Sequence, residues 1–75
     1  MSRRIQIEAE LLLVQHAKRH ARNNADAFGF RAGLARTEDE RHEEMAIRGY
    51  WQIEAEKALV REQLLRAELA ALAAY

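Results

Sequence analysis

Three histidines are the residues of this chain whose type and spacing are best suited to chemistry. His16 and His20 stand four positions apart, so both imidazoles share one face of a helix and can hold a metal ion between them. His42 becomes a third candidate ligand if the chain folds back on itself. The interpretation that we favour makes His16 and His20 partly exposed residues of a helix interface. A metal site is therefore kept as an alternative only, and no cofactor is expected.

Other groups suited to catalysis are sparse. Ser2 and Thr37 carry the only aliphatic hydroxyls, and Thr37 has the position of a helix cap, so no Ser/His/Asp arrangement is indicated. The stretch from Gly29 to Gly33 lacks the lysine and the hydroxyl of a phosphate-binding loop. The carboxylates between Glu38 and Glu44 are typical of the first turns of a helix. No set of residues meets the geometric requirements of an active site, so we expect a protein that is not an enzyme.

A long second helix is predicted from its start signal. Thr37 and Glu40 have the Thr-x-x-Glu spacing of a capping box, in which the threonine oxygen accepts a backbone N–H three residues on. In the same motif the glutamate reaches back to the cap. From this point to Tyr75 the chain has no proline and a single glycine, Gly49. We therefore expect a helix over about 38–73.

A shorter first helix is predicted over about 3–24, with Ser2 as its cap and the asparagine pair at 23 and 24 as its stop. Residues 25–37 are then a connection that carries the aromatic side chains of Phe28 and Phe30. No alternating apolar pattern indicates a β-strand. The chain is thus expected to be a single all-α domain, residues 1–75, folded as a helical hairpin.

Apolar residues form more stripes than one hairpin can bury. The main stripe of the first helix comprises Ile7, Leu11, Val14, Ala21 and Ala25. One stripe of the long helix comprises Ile53, Val60, Leu64, Ala67 and Ala71. A second stripe, about 140° away, comprises Ile47, Trp51, Ala58, Leu65, Leu69 and Leu72. Only one of these two stripes can pack on the first helix, so the other needs a second chain or a target.

The small size of the chain favours association between two copies. A chain of 75 residues without cysteine has neither disulfides nor thiolate metal ligands to stabilise its core. We therefore predict a homodimer in which two hairpins form a four-helix or coiled-coil-like arrangement. The predicted dimer interface is the second stripe of the long helix, comprising Ile47, Trp51, Ala58, Leu65, Leu69 and Leu72.

Charge divides the neutral chain into a basic first half and an acidic second half. In an antiparallel hairpin, Lys18, Arg19 and Arg22 would lie beside the acidic residues 38–44. The same cations, with Arg31 and Arg36, are the candidate contacts of a small dimeric nucleic-acid-binding protein. In architecture such a protein resembles the RNA-binding hairpins of plasmid copy control. The acidic cluster next to the cations makes this function an alternative, because phosphate binding normally requires an unopposed basic surface.

The features that remain favour recognition of another protein. Tyr50 and Trp51 are the aromatic residues expected to dominate binding, together with Phe28, Phe30 and Arg31. We expect a regulator, adaptor or inhibitor that binds the surface of a larger protein, a class that is frequent among the products of phages and mobile elements. The chain lacks a secretory signal and an apolar run that spans a bilayer, so we expect a cytoplasmic protein with no membrane partner.

Overall fold

Two α-helices form an antiparallel hairpin in the computed structural model, which describes residues 2–74. Helix α1 spans Arg3–Gly33, helix α2 spans Glu38–Ala73, and a short turn, residues 34–37, joins them. The molecule measures 58 × 15 × 13 Å, so it is long and only two helices thick at most. The predicted all-α helical hairpin is confirmed. Met1 and Tyr75, the ends of the predicted domain, lie outside the described residues.

Both helices begin at the residues that their caps predict. The Ser2 hydroxyl accepts the backbone N–H of Ile5 at 3.3 Å. The Thr37 hydroxyl accepts the backbone N–H of Glu40 at 3.1 Å. The Glu40 carboxylate in turn accepts the backbone N–H of Arg36 at 3.0 Å, one residue before the cap. The capping box of α2 is therefore closed one residue further back than in the usual motif.

The prediction that α1 ends near Asn24 is wrong. The helix continues through Asn24 and includes Phe28 and Phe30, so these two aromatic residues project from α1 and not from a loop. Asparagine has only a modestly unfavourable helix propensity. Beyond it, Ala25 and Ala32 are buried, and their burial stabilises the continued helix. The connection is accordingly residues 34–37 and not residues 25–37.

Burial follows a heptad pattern along both helices. The buried and partly buried residues recur in alternating steps of four and three, the spacing of a coiled-coil seam. We call this set of residues the inner seam. Its members on α1 are Ile7, Leu11, Val14, Lys18, Ala21, Ala25, Phe28 and Ala32. Its members on α2 are Glu44, Arg48, Trp51, Ala55, Ala58, Glu62, Leu65 and Leu69.

The inner seam has its large aliphatic residues at the open end of the hairpin, away from the turn. Ile7, Leu11 and Leu65 form the buried cluster there, with Val14 and Leu69 packed against it. Leu65 is 0% exposed, so it has no surface to offer to a second copy. The prediction of Leu65 as a dimer-interface residue is therefore wrong, because the stripe of α2 that contains it packs on α1.

The other members of the predicted dimer interface differ in how far they are buried against α1. Trp51, Ala58 and Leu69 are partly buried, whereas Ile47 and Leu72 are exposed. The opposite stripe of α2 is the one that the single chain leaves uncovered, as the exposure of Ile53 and Val60 indicates. Neither helix contains, within residues 2–74, a segment apolar and long enough to cross a membrane.

Replacement of Leu65 by alanine tests the inner seam. We expect Leu65→Ala to lower the free energy of unfolding by about 3 kcal/mol, because it leaves a cavity in the largest apolar cluster. The matched control is Leu13→Ala, at a residue that is 72% exposed, which should change stability by no more than about 0.5 kcal/mol. Urea unfolding followed by circular dichroism, at one protein concentration, measures both. Equal losses in the two variants would contradict this assignment of the core.

Candidate partner-binding surface

Four aromatic rings form a continuous strip across one side of the hairpin. The rings of His16 and His20 are stacked, with centroids 6.4 Å apart and planes inclined by 11°. His20 meets Trp51 in a T-shaped contact, with centroids 5.4 Å apart. Trp51 and Tyr50 form a second T-shaped contact at 5.1 Å. We call these four residues the aromatic strip, which begins on α1 and ends on α2.

Helical periodicity and the inner seam together position the aromatic strip. His16 and His20 share one face of α1 because they are four residues apart. Trp51 occupies an inner-seam position and is partly buried, whereas the preceding Tyr50 projects outwards and is 56% exposed. The Nε2 atom of His20 lies 3.1 Å from Nδ2 of Asn24, one turn further along α1. The strip thus combines a held tryptophan with a tyrosine that is open to a partner.

The other predicted partner-binding residues lie elsewhere. The guanidinium carbon of Arg31 lies 4.9 Å from the ring centroid of Phe28, in cation–π geometry. Its Nη2 atom is 3.1 Å from the carboxylate of Glu44, which balances its charge. Phe30 is largely exposed and stands two residues from Phe28, so it projects in a different direction. Of the five predicted residues, the structure brings only the adjacent tyrosine and tryptophan together in the strip.

The histidines are not gathered into the alternative metal site. His20 contacts Trp51, which is nine positions from His42 on α2. At about 1.5 Å per residue, His42 lies roughly 13 Å from that contact along the helix axis. Within residues 2–74, no group of three or more His, Cys, Asp or Glu side chains is arranged to hold a metal ion. The spacing of His16 and His20 predicted a shared face, but their contact with Trp51 depends on the register of the two helices.

A polar groove carries the basic residues of α1. The groove is lined by Gln15, Lys18, Arg19, Arg22, Asn23, Asp26, Glu62 and Arg66. Arg22 follows His20 by two positions, so it projects from a different side of α1 than the aromatic strip. The prediction that Lys18, Arg19 and Arg22 lie beside residues 38–44 is wrong, because α1 is longer than expected. The acidic start of α2 instead meets Arg31, through Glu44.

Lys18 and Glu62 form an ion pair within the inner seam. The Lys18 Nζ atom lies 2.9 Å from Oε1 of Glu62, whose side chain is only 8% exposed. The hydrogen bond from Lys18 lowers the pKa of Glu62, and the positive charges of Lys18 and Arg66 act in the same direction. A helix that slipped along its partner would break the hydrogen bond from Lys18 to the buried Glu62 and leave it only the more distant Arg66 of its own helix, which is unfavourable. The pair therefore defines the register of the hairpin.

The five cations predicted to contact nucleic acid differ in whether a carboxylate pairs with them. Lys18 is held by Glu62, and Arg31 is held by Glu44. Within residues 2–74, neither Arg19 nor Arg22 forms an ion pair with a carboxylate. Arg36 lies in the turn, where its backbone N–H completes the capping box. The five residues predicted for nucleic-acid binding are therefore spread along the hairpin, and only two of them lie unpaired in the groove.

Comparisons with protein-family models, with curated proteins and with solved structures found no match to this chain. A partly buried tryptophan beside an exposed tyrosine presents apolar area and a hydroxyl that can donate a hydrogen bond, a combination that suits a protein partner. The polar groove presents unpaired guanidinium groups, which suit an anion.

The Lys18–Glu62 pair predicts a dependence of stability on pH. The fold lowers the pKa of Glu62 below its ordinary value of 4.5. Its ionised carboxylate therefore stabilises the fold above that value, and this contribution is lost as the pH falls through the lowered pKa. We expect the thermal midpoint of the wild type to fall more steeply on acidification than that of Glu62→Gln. The control Glu43→Gln, at an exposed position of α2, should show the same change of thermal midpoint with pH as the wild type. Thermal unfolding at a series of pH values measures this, and parallel slopes for Glu62→Gln would contradict it.

Proposed function

We propose that this hairpin is a non-enzymatic interaction protein, a regulator, adaptor or inhibitor that binds the surface of a larger protein. It acts as a homodimer, and its cysteine-free composition suits the cytoplasm. The observation that carries the proposal is the aromatic strip, in which four rings cross from α1 to α2 in unbroken contact.

The composition of the aromatic strip supports a protein partner. Tryptophan and tyrosine are the residue types enriched among those that dominate binding energy at interfaces. Next to them, Ile47 is exposed and extends the apolar area along α2. One turn beyond Tyr50, Glu54 and Lys57 form an ion pair of 3.4 Å. An apolar centre with a charged border is the usual anatomy of a protein interface.

The way in which the strip is held also supports this function. Trp51 is fixed by its place in the inner seam, and His20 is restrained between Trp51 and Asn24. Side chains that are ordered before binding lose less conformational entropy when a partner arrives. The hairpin therefore offers a preorganised surface, and it needs no conformational change to present Tyr50.

Capture of cellular proteins by the tagged chain tests the proposal. We expect Tyr50→Ala to weaken binding of the target by about 2 kcal/mol, or about 30-fold, because it removes the exposed ring of the strip. Its helix content and thermal midpoint should stay close to those of the wild type. The control is Gln52→Ala, an exposed residue of the same helix outside the strip, which should capture the target normally. Capture is performed with nuclease and read by mass spectrometry, and the affinity for the protein recovered is then measured by calorimetry. Equal capture by Tyr50→Ala and wild type would contradict the proposal.

Nucleic-acid binding is the second candidate function, and one observation favours it. Arg19 and Arg22 lie in the polar groove without carboxylate partners and can contact phosphates. Asp26 and Glu62 line the same groove, however, and reduce its positive potential. The groove also lacks aromatic side chains on which bases can stack. For these two reasons the protein partner is the better supported ligand.

A double substitution separates the two functions. We expect Arg19→Gln with Arg22→Gln to leave capture of the protein target unchanged, because neither residue belongs to the aromatic strip. Binding of labelled RNA and DNA is titrated in parallel at increasing salt. The control is Arg36→Gln, which also removes an arginine charge but lies in the turn, outside the polar groove. Tight binding that falls steeply with salt and is lost in the double variant would assign the function to the groove instead.

A further inference from the structure

The side of α2 that points away from α1 carries a second heptad stripe. Its residues recur in steps of four and three, as those of the inner seam do. We call it the outer stripe, and it comprises Ile53, Lys57, Val60, Leu64, Ala67 and Ala71. Ile53, Val60 and Leu64 are 54%, 55% and 58% exposed. A heptad stripe of this kind is the surface against which a second helix packs, and a single chain leaves it without one.

The exposed area of the chain indicates what covers the outer stripe. The hairpin exposes 5761 Å², whereas a compact protein of 8.7 kDa exposes about 4,700 Å². The excess of about 1,000 Å² is close to the area of about 800 Å² that each partner contributes to a standard protein interface. Inside the chain, Ile7 and Leu65 are the only large side chains of the described residues that are fully buried. A second copy of the chain would bury the side chains of the outer stripe in addition to these two.

We infer that the outer stripe is the seam of the homodimer, in which the α2 helices of two copies pack antiparallel. This inference rests on the homodimer of the proposed function and moves its interface from the inner seam to the outer side of α2. Trp51 and the two histidines of the aromatic strip lie outside the outer stripe and stay available to a target. Tyr50 stands three residues before Ile53 and continues the same heptad spacing, so it marks the end of the seam that adjoins the aromatic strip.

Charge selects the antiparallel orientation. Lys57 is the only charged residue of the outer stripe. In a parallel pair in register, the two Lys57 side chains would face each other within the seam, which is unfavourable. In an antiparallel pair, Lys57 of each copy faces Val60 of the other. The same register places Arg61 of each copy, which donates a hydrogen bond to Glu10 of its own chain at 2.8 Å, beside Glu54 of the other, so opposite charges border the seam.

A charge placed in the outer stripe tests the inference. By sedimentation equilibrium at micromolar concentrations we expect the wild type to have twice the mass of 8.7 kDa and Val60→Glu to have the single mass with retained helix content. The control is Leu12→Glu, at an α1 residue that is 70% exposed, which should stay dimeric. A monomeric wild type or a dimeric Val60→Glu overturns the inference. So does a Leu12→Glu variant that alone becomes monomeric, because the seam would then lie on α1.

Disulfide trapping tests the orientation and does not depend on how well a charged variant folds. The chain has no cysteine, so each introduced thiol is unique. Mixed Ile53→Cys and Leu64→Cys chains should form a cross-linked pair on oxidation, because an antiparallel seam brings these positions together. Ala71→Cys alone should form none. Cross-linking of Ala71→Cys to itself, without cross-linking in the mixture, overturns the antiparallel pairing.

The outer-stripe seam and the aromatic-strip function fail separately. Unaltered target capture by Tyr50→Ala overturns the function of the aromatic strip, whatever the mass of the wild type. An unaltered mass of Val60→Glu overturns the outer-stripe seam, whatever the chain captures.

Discussion

The ion pair between Lys18 and Glu62 sets the alignment on which the other contacts between the helices depend. Between this pair and the turn the inner seam includes five alanines, whose methyl groups pack equally well when two helices slide by one heptad. A buried carboxylate does not tolerate such a slip, because it would lose the hydrogen bond that lowers its pKa. The contact of His20 with Trp51 exists only in the register that this pair selects. The pair thus contributes specificity to a seam whose apolar side chains give cohesion but little alignment.

A hairpin that is 15 × 13 Å across has almost no interior, so its functional chemistry must lie on its sides. Once the register is set, those sides differ. One carries the aromatic strip, and another carries the polar groove with Arg19 and Arg22. A third, the outer stripe of α2, is almost entirely apolar. Two helices thereby present three surfaces of different chemistry at fixed distances from one another.

The features that were predicted from sequence are those that depend on near neighbours in the chain. The caps at Ser2 and Thr37 need only a hydroxyl and a free backbone N–H three residues away. The end of α1 was mispredicted because the weak propensity of Asn24 was outweighed by the burial of Ala32, which lies two turns further on. Of the aromatic strip, Tyr50 and Trp51 could be predicted as partner-binding residues, because their residue types favour binding. The two histidines of the strip could not be predicted, because their contact with α2 depends on how the helices are aligned. Two apolar stripes of equal spacing on α2 left open which of them faces α1.

The distribution of polar residues between the two stripes of α2 has a physical reason. The inner seam includes Glu44, Arg48 and Glu62, whereas the outer stripe has larger exposed aliphatic residues and only Lys57 as a charge. Within a chain, the turn already holds the helices together, so polar residues of the inner seam can serve to align them. Between chains no turn exists, so apolar contacts must offset the translational and rotational freedom that association costs. With the outer stripe paired as inferred, folding and association become one equilibrium, and the amount of folded hairpin then depends on the concentration of the chain.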